Sequence, residues 1–441
     1  MFSSPTDFAR NTLAPKIHAA HACIALAVAP CVHAEGNLIK EIFFGAELEL
    51  EIAHNTDTAR LQKSAIKLEP ELEATLPADT RFTAIARLGA DGENELDPDE
   101  HTDADLREFY FEWHWRKTYV NIGKQQVVWG NADGLKVLDV VNPQTFREFI
   151  LDDFADSRIP LWTVNLQLPL WRNTLQFVWI PDQTYTDLPQ PGSAYEFTSP
   201  LLIPQTPPDI PVESSPVEKP DQFFKDSDVG IKLSGFQWGW DFSLNYLYHY
   251  EDNPVFYRTI DVSPTGQVSV RVQPRHERSD LLGGTFSRAF GDLTLRGELG
   301  YFSHQFFVNN DPDDPDGILD THEVRYVVGL DWYGLTDTRI SVQWFESHIG
   351  DDEPGVFRDR RETSLTLQYN RTFLNDTLEV DVLWLYSENR HDGLIRPRLS
   401  YDINDGVSAW VAGDRFYGDS EGFYGQFDDN DRVLLGVAIN F

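Results

Sequence analysis

The chain has 441 residues, with 71 Asp and Glu against 36 Lys and Arg and a formal net charge of -35. Such a charge excludes a nucleic-acid partner, because phosphate binding needs clustered Lys and Arg, and 12 Trp exclude a disordered acidic chain, because so much ring surface is made for burial. Beyond position 35 no apolar run reaches ~18 residues, so a helical membrane span is excluded and strands remain as the means of crossing a bilayer.

In chain order, Arg10, Lys16 and His18 precede an apolar stretch at 19–29 that runs on to Val32-His33-Ala34. A basic segment, a short apolar core and a small terminal residue predict a secretory signal over 1–34, cleaved after Ala34. Pro30 directly before Cys31 argues against a lipoprotein signal. Both cysteines, Cys23 and Cys31, lie inside this segment, so the predicted mature chain, 35–441, has no disulfide framework.

Period-2 alternation dominates the rest of the chain. In 44–52, Phe44, Ala46, Leu48, Leu50 and Ile52 interleave with Gly45, Glu47, Glu49 and Glu51, giving one oily and one charged face. The next run, 66–76, repeats this, with Pro70 on the apolar face predicting a bulge or local break. The pattern returns in 82–90, 109–115, 120–128, 162–170, 175–180, 229–233, 240–250, 281–290, 293–301, 324–332, 340–344, 365–369, 378–386, 394–401, 407–413 and 433–441. Long connections alternate with tight turns along the chain, and aromatic residues sit near strand ends, as interfacial girdles do. A sandwich or propeller also alternates, but it would have to bury the charged face. Fold class is therefore all-β: a transmembrane up-and-down antiparallel barrel of about 18 strands, range ~16–18. Val433, Leu435, Val437, Ile439 and Phe441 alternate to the end of the chain, which resembles the C-terminal strand of Gram-negative outer-membrane barrels and closes the barrel.

With the apolar face on lipid, the other face lines the interior. It carries Glu47, Glu49, Glu51, Lys67, Glu69, Glu71, Glu73, Arg81, Arg87, Glu112, Arg296, Glu298, Arg325 and Arg339, the expected pore-lining set. An acidic patch on the first two strands and arginines elsewhere set a field across a wet pore.

Connection 130–160 contains Asn142-Pro143, a capping residue and a first-turn proline, and then Phe146, Phe149, Ile150 and Phe154. This predicts a short amphipathic helix that folds inward to shelter its rings, with Arg147, Glu148, Asp152, Asp153, Asp156 and Arg158 as constriction residues. An outside cap is the competing placement. Connection 182–227, with nine prolines in 46 residues, is expected as an extended outside flap.

The run 309–323 aligns Asp314, Asp316 and Glu323 with a calcium loop, with Asp320 beside them, but Pro312 occupies the first ligand position. Weak calcium binding at 311–323 competes with a solvated charge run, as it does at 91–105, where eight of fifteen residues are acidic. No other cofactor is expected. The nucleophile-elbow, zinc-helix and phosphate-loop motifs are absent, so catalysis is not expected.

Ile122-Gly123-Lys124-Gln125-Gln126-Val127-Val128-Trp129-Gly130, then Val140-Val141-Asn142-Pro143 and Ser157-Arg158-Ile159-Pro160, resembles a poorly characterised proteobacterial outer-membrane porin-like family of unknown function. That family is similar in architecture to alginate-export barrels of the same strand number, whose pores are lined with arginine; the acidic first strands here depart from that pattern. The resemblance implies passage of organic solutes or polymers and carries over no catalytic residue. The expectation is a porin-like channel in the outer membrane of a Gram-negative bacterium, passing small or organic solutes by diffusion with cation preference. Outer-membrane lipid and lipopolysaccharide are its expected surroundings. The alternative is a surface-exposed binding or adhesion barrel with acidic, calcium-binding loops and a blocked lumen. Solute and oligomeric state are not legible.

Overall fold

The computed structural model describes residues 39–441 apart from 79, 206, 208 and 352. The expected export signal, 1–34, lies outside the described residues. The chain forms β1 (Glu41–Asn55), β2 (Arg60–Leu76), β3 (Thr80–Asp91), β4 (Thr102–Trp115) and β5 (Thr118–Gln125), then a single helical turn, α1 (Phe154–Ser157). After it come β6 (Leu161–Leu170), β7 (Asn173–Ile180), β8 (Val212–Ser214), β9 (Asp228–Gln237), β10 (Trp240–Tyr250), β11 (Val255–Val262) and β12 (Val268–Arg275). The remainder is β13 (Arg278–Phe290), β14 (Leu293–Val308), β15 (Ile318–Trp332), β16 (Thr338–Ile349), β17 (Arg361–Phe373), β18 (Leu378–Ser387), β19 (Asp392–Asn404), β20 (Val407–Tyr417) and β21 (Arg432–Asn440).

Eighteen of these strands form one antiparallel sheet, and each of the eighteen alternating runs falls on one of them. Pairing of β1 with β21, from Glu47↔Asn440 to Asn55↔Arg432, closes the sheet into a barrel, as expected for a chain ending in Phe441. The other three strands, β8, β11 and β12, make a small separate sheet within the connections flanking β9 and β10. Connections of two to five residues at one end of the barrel, such as 171–172 and 238–239, alternate with connections at the other end that are mostly much longer, 56–59 and 388–391 being the short exceptions. Trp171 and Trp238 adopt positive φ in two of these turns and are almost fully exposed at their tips.

The wall is a consequence of the alternation. Phe44, Leu50, Ile122, Leu244, Leu282 and Leu435 all face outward and are 43–62% exposed. A continuous apolar exterior of this kind is the surface of a barrel that meets lipid. Pro70 faces outward opposite Ala46. Pairing of β2 with β3 is interrupted between Leu68↔Leu88 and Glu71↔Ile85 without a slip, so the proline breaks a ladder there and makes no bulge. Register shifts fall instead at Ala53/His54 and Ile85/Ala86.

The core lies inside the barrel and is supplied largely by its longest connections. One apolar cluster gathers Val127, Trp129, Leu138 and Val141 against Val178, Leu247, Leu281 and Val327 of the wall. A second gathers Phe149, Leu151 and Tyr195 against Leu385, Leu394, Phe416, Tyr424 and Phe427.

Candidate functional site

Segment 126–160 enters the lumen because the wall ends early beneath it. The expected fifth strand stops at Gln125, three residues short of Val128. Gly123 has φ 139°, and a β-carbon there would collide with the backbone at Phe109 and Tyr110, so this position of the glycine signature serves close strand contact. Past Gln125 the chain turns inward and buries Val127 and Trp129, whose indole N–H donates to Gln176 Oε1 at 3.0 Å. Leu138 seats against the far wall at Gly283 and Gly300, where β-carbons would meet its methyl groups.

No helix forms over 142–154, contrary to the expectation. The Asn142 side chain is committed elsewhere: Oδ1 accepts from Val127 N–H at 2.7 Å and Nδ2 donates to Ile159 carbonyl at 2.9 Å, which ties the two legs of the segment together. Gln144 bridges to Arg158 and Thr145 to Asp187, so this stretch is held extended. Phe149, at φ 56°, ends a turn and inserts its ring among Phe416, Phe423, Tyr424 and Phe427, with centroids 4.8 Å from Phe423 and Phe427. The single helical turn that does form is Phe154–Ser157.

Charge fixes the segment to both walls. On one side Glu148 accepts from Lys63 of β2 at 2.5 Å and from Arg432 of β21 at 2.8 Å. Asp156 pairs with Lys67 at 3.4 Å and with Arg87, while Arg107 donates to the carbonyls of Ala155 and Asp156. On the other side Asp133 bridges Arg296 and Arg339, and Glu298 accepts the N–H groups of Asn131 and Leu138. Arg158 pairs with Asp139 inside the segment at 2.7 Å, and Arg147 turns away to Asp97 at 2.5 Å in the acidic 91–105 connection. Of the six residues expected at a constriction, Glu148 and Asp156 are anchors, Asp152 and Asp153 border open space, Arg147 holds one connection to another and Arg158 braces the segment internally.

The ionisable groups on this segment are tuned by their setting. Burial opposes ionisation of Glu148, but Lys63 and Arg432 overcome it and hold the carboxyl down at about 2. Burial and the neighbouring Glu148 push Asp152 up to about 6. Burial lowers Lys136 to about 8, its ammonium lying 4.5 Å from the Phe154 ring centroid.

All fourteen expected pore-lining residues lie on the inner face, but they divide into three groups. Glu49, Glu51, Lys67 and Arg87 border a cavity of about 640 Å³ between the segment and the charged wall. In it Glu51 pairs with Lys63 at 2.8 Å, Glu49 with Lys67 at 3.0 Å, and Arg87 with Glu69. Arg296, Glu298 and Arg339 lie beneath the segment as its anchors, and Arg325 pairs with fully buried Glu323 at 2.6 Å. Nearer the short turns, Glu47, Glu71 and Glu73 have no cationic side chain within ion-pair distance among the described residues; Arg81 stands beside Glu112 across β3 and β4, and Glu112 meets His114 at 3.0 Å.

Sequence reasoning missed Lys63, Arg107, Arg396, Arg398 and Arg432, which supply much of the cavity's positive charge. Arg432 was legible: it precedes Val433 by one residue and extends that strand's alternation onto the inner face. Next to the charged wall, β5 to β7 present an uncharged inner face. Asn121, Gln125, Asn165, Gln167 and Gln176 line a smaller pocket of about 280 Å³ on which Glu108 and Tyr110 also open.

The acidic run near 311–323 does not assemble a calcium loop. Asp314 is occupied by Asn309 Nδ2 and the Asp316 and Gly317 N–H groups, Asp320 pairs with His304, and Glu323 lies inside the barrel with Arg325, Arg358 and Ser347. Among the described residues no three acidic, histidine or cysteine side chains converge as a metal site would require. The Pro-rich connection also departs from an extended flap. Tyr195 is fully buried, Phe197 packs on Phe146 and Phe149, and Ala194 is hydrogen-bonded to Glu95 and Asn430, so this connection closes over the mouth.

Solved structures share this architecture. Pseudomonas aeruginosa OpdK is 13% identical over 91% of this chain and 99% of its own, with a TM-score of 0.54. A BenF-like porin from Pseudomonas fluorescens Pf-5 is 11% identical over 92% and 99%, with a TM-score of 0.52, and Acinetobacter baumannii OccAB1 is 10% identical over 91% and 95%, with a TM-score of 0.51. At such identities the likeness is one of fold. No curated protein matches the sequence. Residues 86–441, most of the wall and the whole inward segment, match the family described as Protein of unknown function (DUF1302), and the chain belongs to that family.

Proposed function

We propose that the protein is a passive channel for small organic solutes in the outer membrane of a Gram-negative bacterium, with its short turns on the periplasmic side and a preference for cations. One observation carries this reading: a lipid-facing barrel encloses a charged cavity of about 640 Å³, narrowed by a segment anchored to both walls. Fixed charges in such a lumen select the sign of the permeant ion. On the charged wall Glu49, Glu51 and Glu69 are paired with Lys67, Lys63 and Arg87, whereas Asp152 and Asp153 in the cavity and Glu47, Glu71 and Glu73 near the short turns have no ion-pair partner among the described residues, and these supply the surplus negative field. Among the solved neighbours, OpdK was crystallised with vanillate and OccK2 (OpdF) in complex with glucuronate, which supports small organic solutes as the class.

Reversal potentials in planar bilayers test it. Glu47→Gln, Glu71→Gln and Glu73→Gln together are expected to lower the cation/anion permeability ratio about twofold. Glu49→Gln, which removes one lumen charge instead of three, is expected to have a smaller effect. An unchanged ratio in the triple variant removes the cation preference, and a purified barrel that conducts no ions removes the channel.

A further inference from the structure

The connection between β7 and β9 does more than close the mouth. Its last turn, 221–226, leaves the interior and reaches the outer surface of the wall. Trp179 faces outward on β7, in the same row as exposed Phe177. Phe224 stacks on it with ring planes 10° apart and centroids at 6.0 Å, and Phe223 meets it edge-on at 5.7 Å. Both phenylalanines remain open on their far sides, 54% and 79% exposed.

The turn is built to hold these rings outward. Buried Asp226 accepts the N–H groups of Asp221 and Gln222 at 3.2 and 3.0 Å and the Tyr250 hydroxyl at 3.1 Å, while its own N–H donates to the Gln222 carbonyl. Ser227 Oγ donates to the Phe224 carbonyl at 3.0 Å. The Arg278 guanidinium, over the Tyr250 and Tyr248 rings, donates to the Ser227 carbonyl. A polar loop in water gains nothing by fixing two adjacent phenylalanines in the open.

We propose that Phe223 and Phe224 form an anchor that inserts into the acyl chains of the outer leaflet and so tethers the mouth-closing connection to the membrane. Continuity with the lipid-facing surface selects this occupant: the pair extends the apolar row of Phe177 and Trp179 at the loop end of the wall, where aromatic girdles sit. Exposed Lys225 comes directly after the pair, at the depth where lipid phosphates lie. The anchor rests on the membrane orientation proposed above.

Nitroxide labels on single cysteines in lipid vesicles test it, through collision with oxygen, which concentrates in lipid, and with a water-soluble nickel chelate. Leu244→Cys on the mid-wall and Thr265→Cys at the tip of the β11–β12 hairpin serve as lipid and water references. Phe224→Cys is expected to favour oxygen, as Leu244→Cys does. A label at Gln222→Cys, which keeps both phenylalanines, is expected to gain at least twofold in nickel collisions when Phe223→Ser and Phe224→Ser are added. Nickel accessibility at 224 equal to that at 265 overturns the anchor, as does shielding from both agents, which marks a contact between copies. If the label at 244 also reads as water-exposed, the membrane orientation falls and the anchor with it.

Discussion

Asp152 is the residue whose charge responds to ordinary changes of pH. Its carboxyl borders the cavity, and burial together with Glu148 raises it to about 6. Above pH 6 the group is thus an anion facing the solute path, and below it the group is neutral. Cation preference is therefore expected to fall as pH drops from 7 to 5, with a midpoint near 6, and Asp152→Asn is expected to abolish the step in reversal-potential measurements. A step that persists in the variant assigns it to another group. Glu148, one turn earlier, cannot take that part, since Lys63 and Arg432 keep it ionised down to about 2. Two acids four residues apart thus have different roles, one as a fixed rivet and one as a titrating element, and only their partners distinguish them.

At the scale of the element, the inward segment combines two fastenings: aromatic packing at Phe149 and ion pairs at Asp133, Glu148 and Asp156. Losing a buried phenylalanine ring costs about 3–5 kcal/mol. Phe149→Ala is therefore expected to loosen the 142–156 stretch without unfolding the wall, and single-channel conductance is expected to rise, as it is on deletion of 142–156. Equal conductance in the two variants and the native barrel would place the narrowing elsewhere. The sequence showed that this stretch must hide its rings but mistook its shape. Asn142 and Pro143 open a helix when the asparagine is free to cap; here its side chain bonds Val127 and Ile159, and those contacts across the segment outweigh local preference. In the 311–323 run tertiary placement likewise separates residues that lie together in sequence: Asp314 caps its own turn, and alternation along β15 carries Glu323 inside the barrel, away from the acids that precede it.

For the whole molecule, the wall was legible because lipid imposes one rule on every strand, apolar outward, and a period of two can be read locally. The ion pairs were not, because they join residues such as Glu148 and Arg432, 284 positions apart, whose meeting depends on closure. The net charge of -35 is likewise uninformative until it is placed. Loop acids such as Asp97 are met by Arg147 and wall acids such as Glu49 by Lys67, while Asp152, Glu47, Glu71 and Glu73 have no ion-pair partner among the described residues. A selectivity that rests on a few unbalanced lumen charges is screened by electrolyte. The permeability ratio is expected to approach unity as salt rises from ~0.1 to ~1 M and the screening length shrinks from about 10 to about 3 Å. A ratio independent of salt would point to a dehydrated filter.

Glu148 joins Lys63 on β2 to Arg432 on β21, and β1 lies between them. The carboxylate therefore straddles the seam at which the first strand meets the last. Only closure of the sheet brings Lys63 and Arg432 to one carboxylate, so this fastening of the inward segment belongs to the closed barrel and to no open arrangement of the same strands.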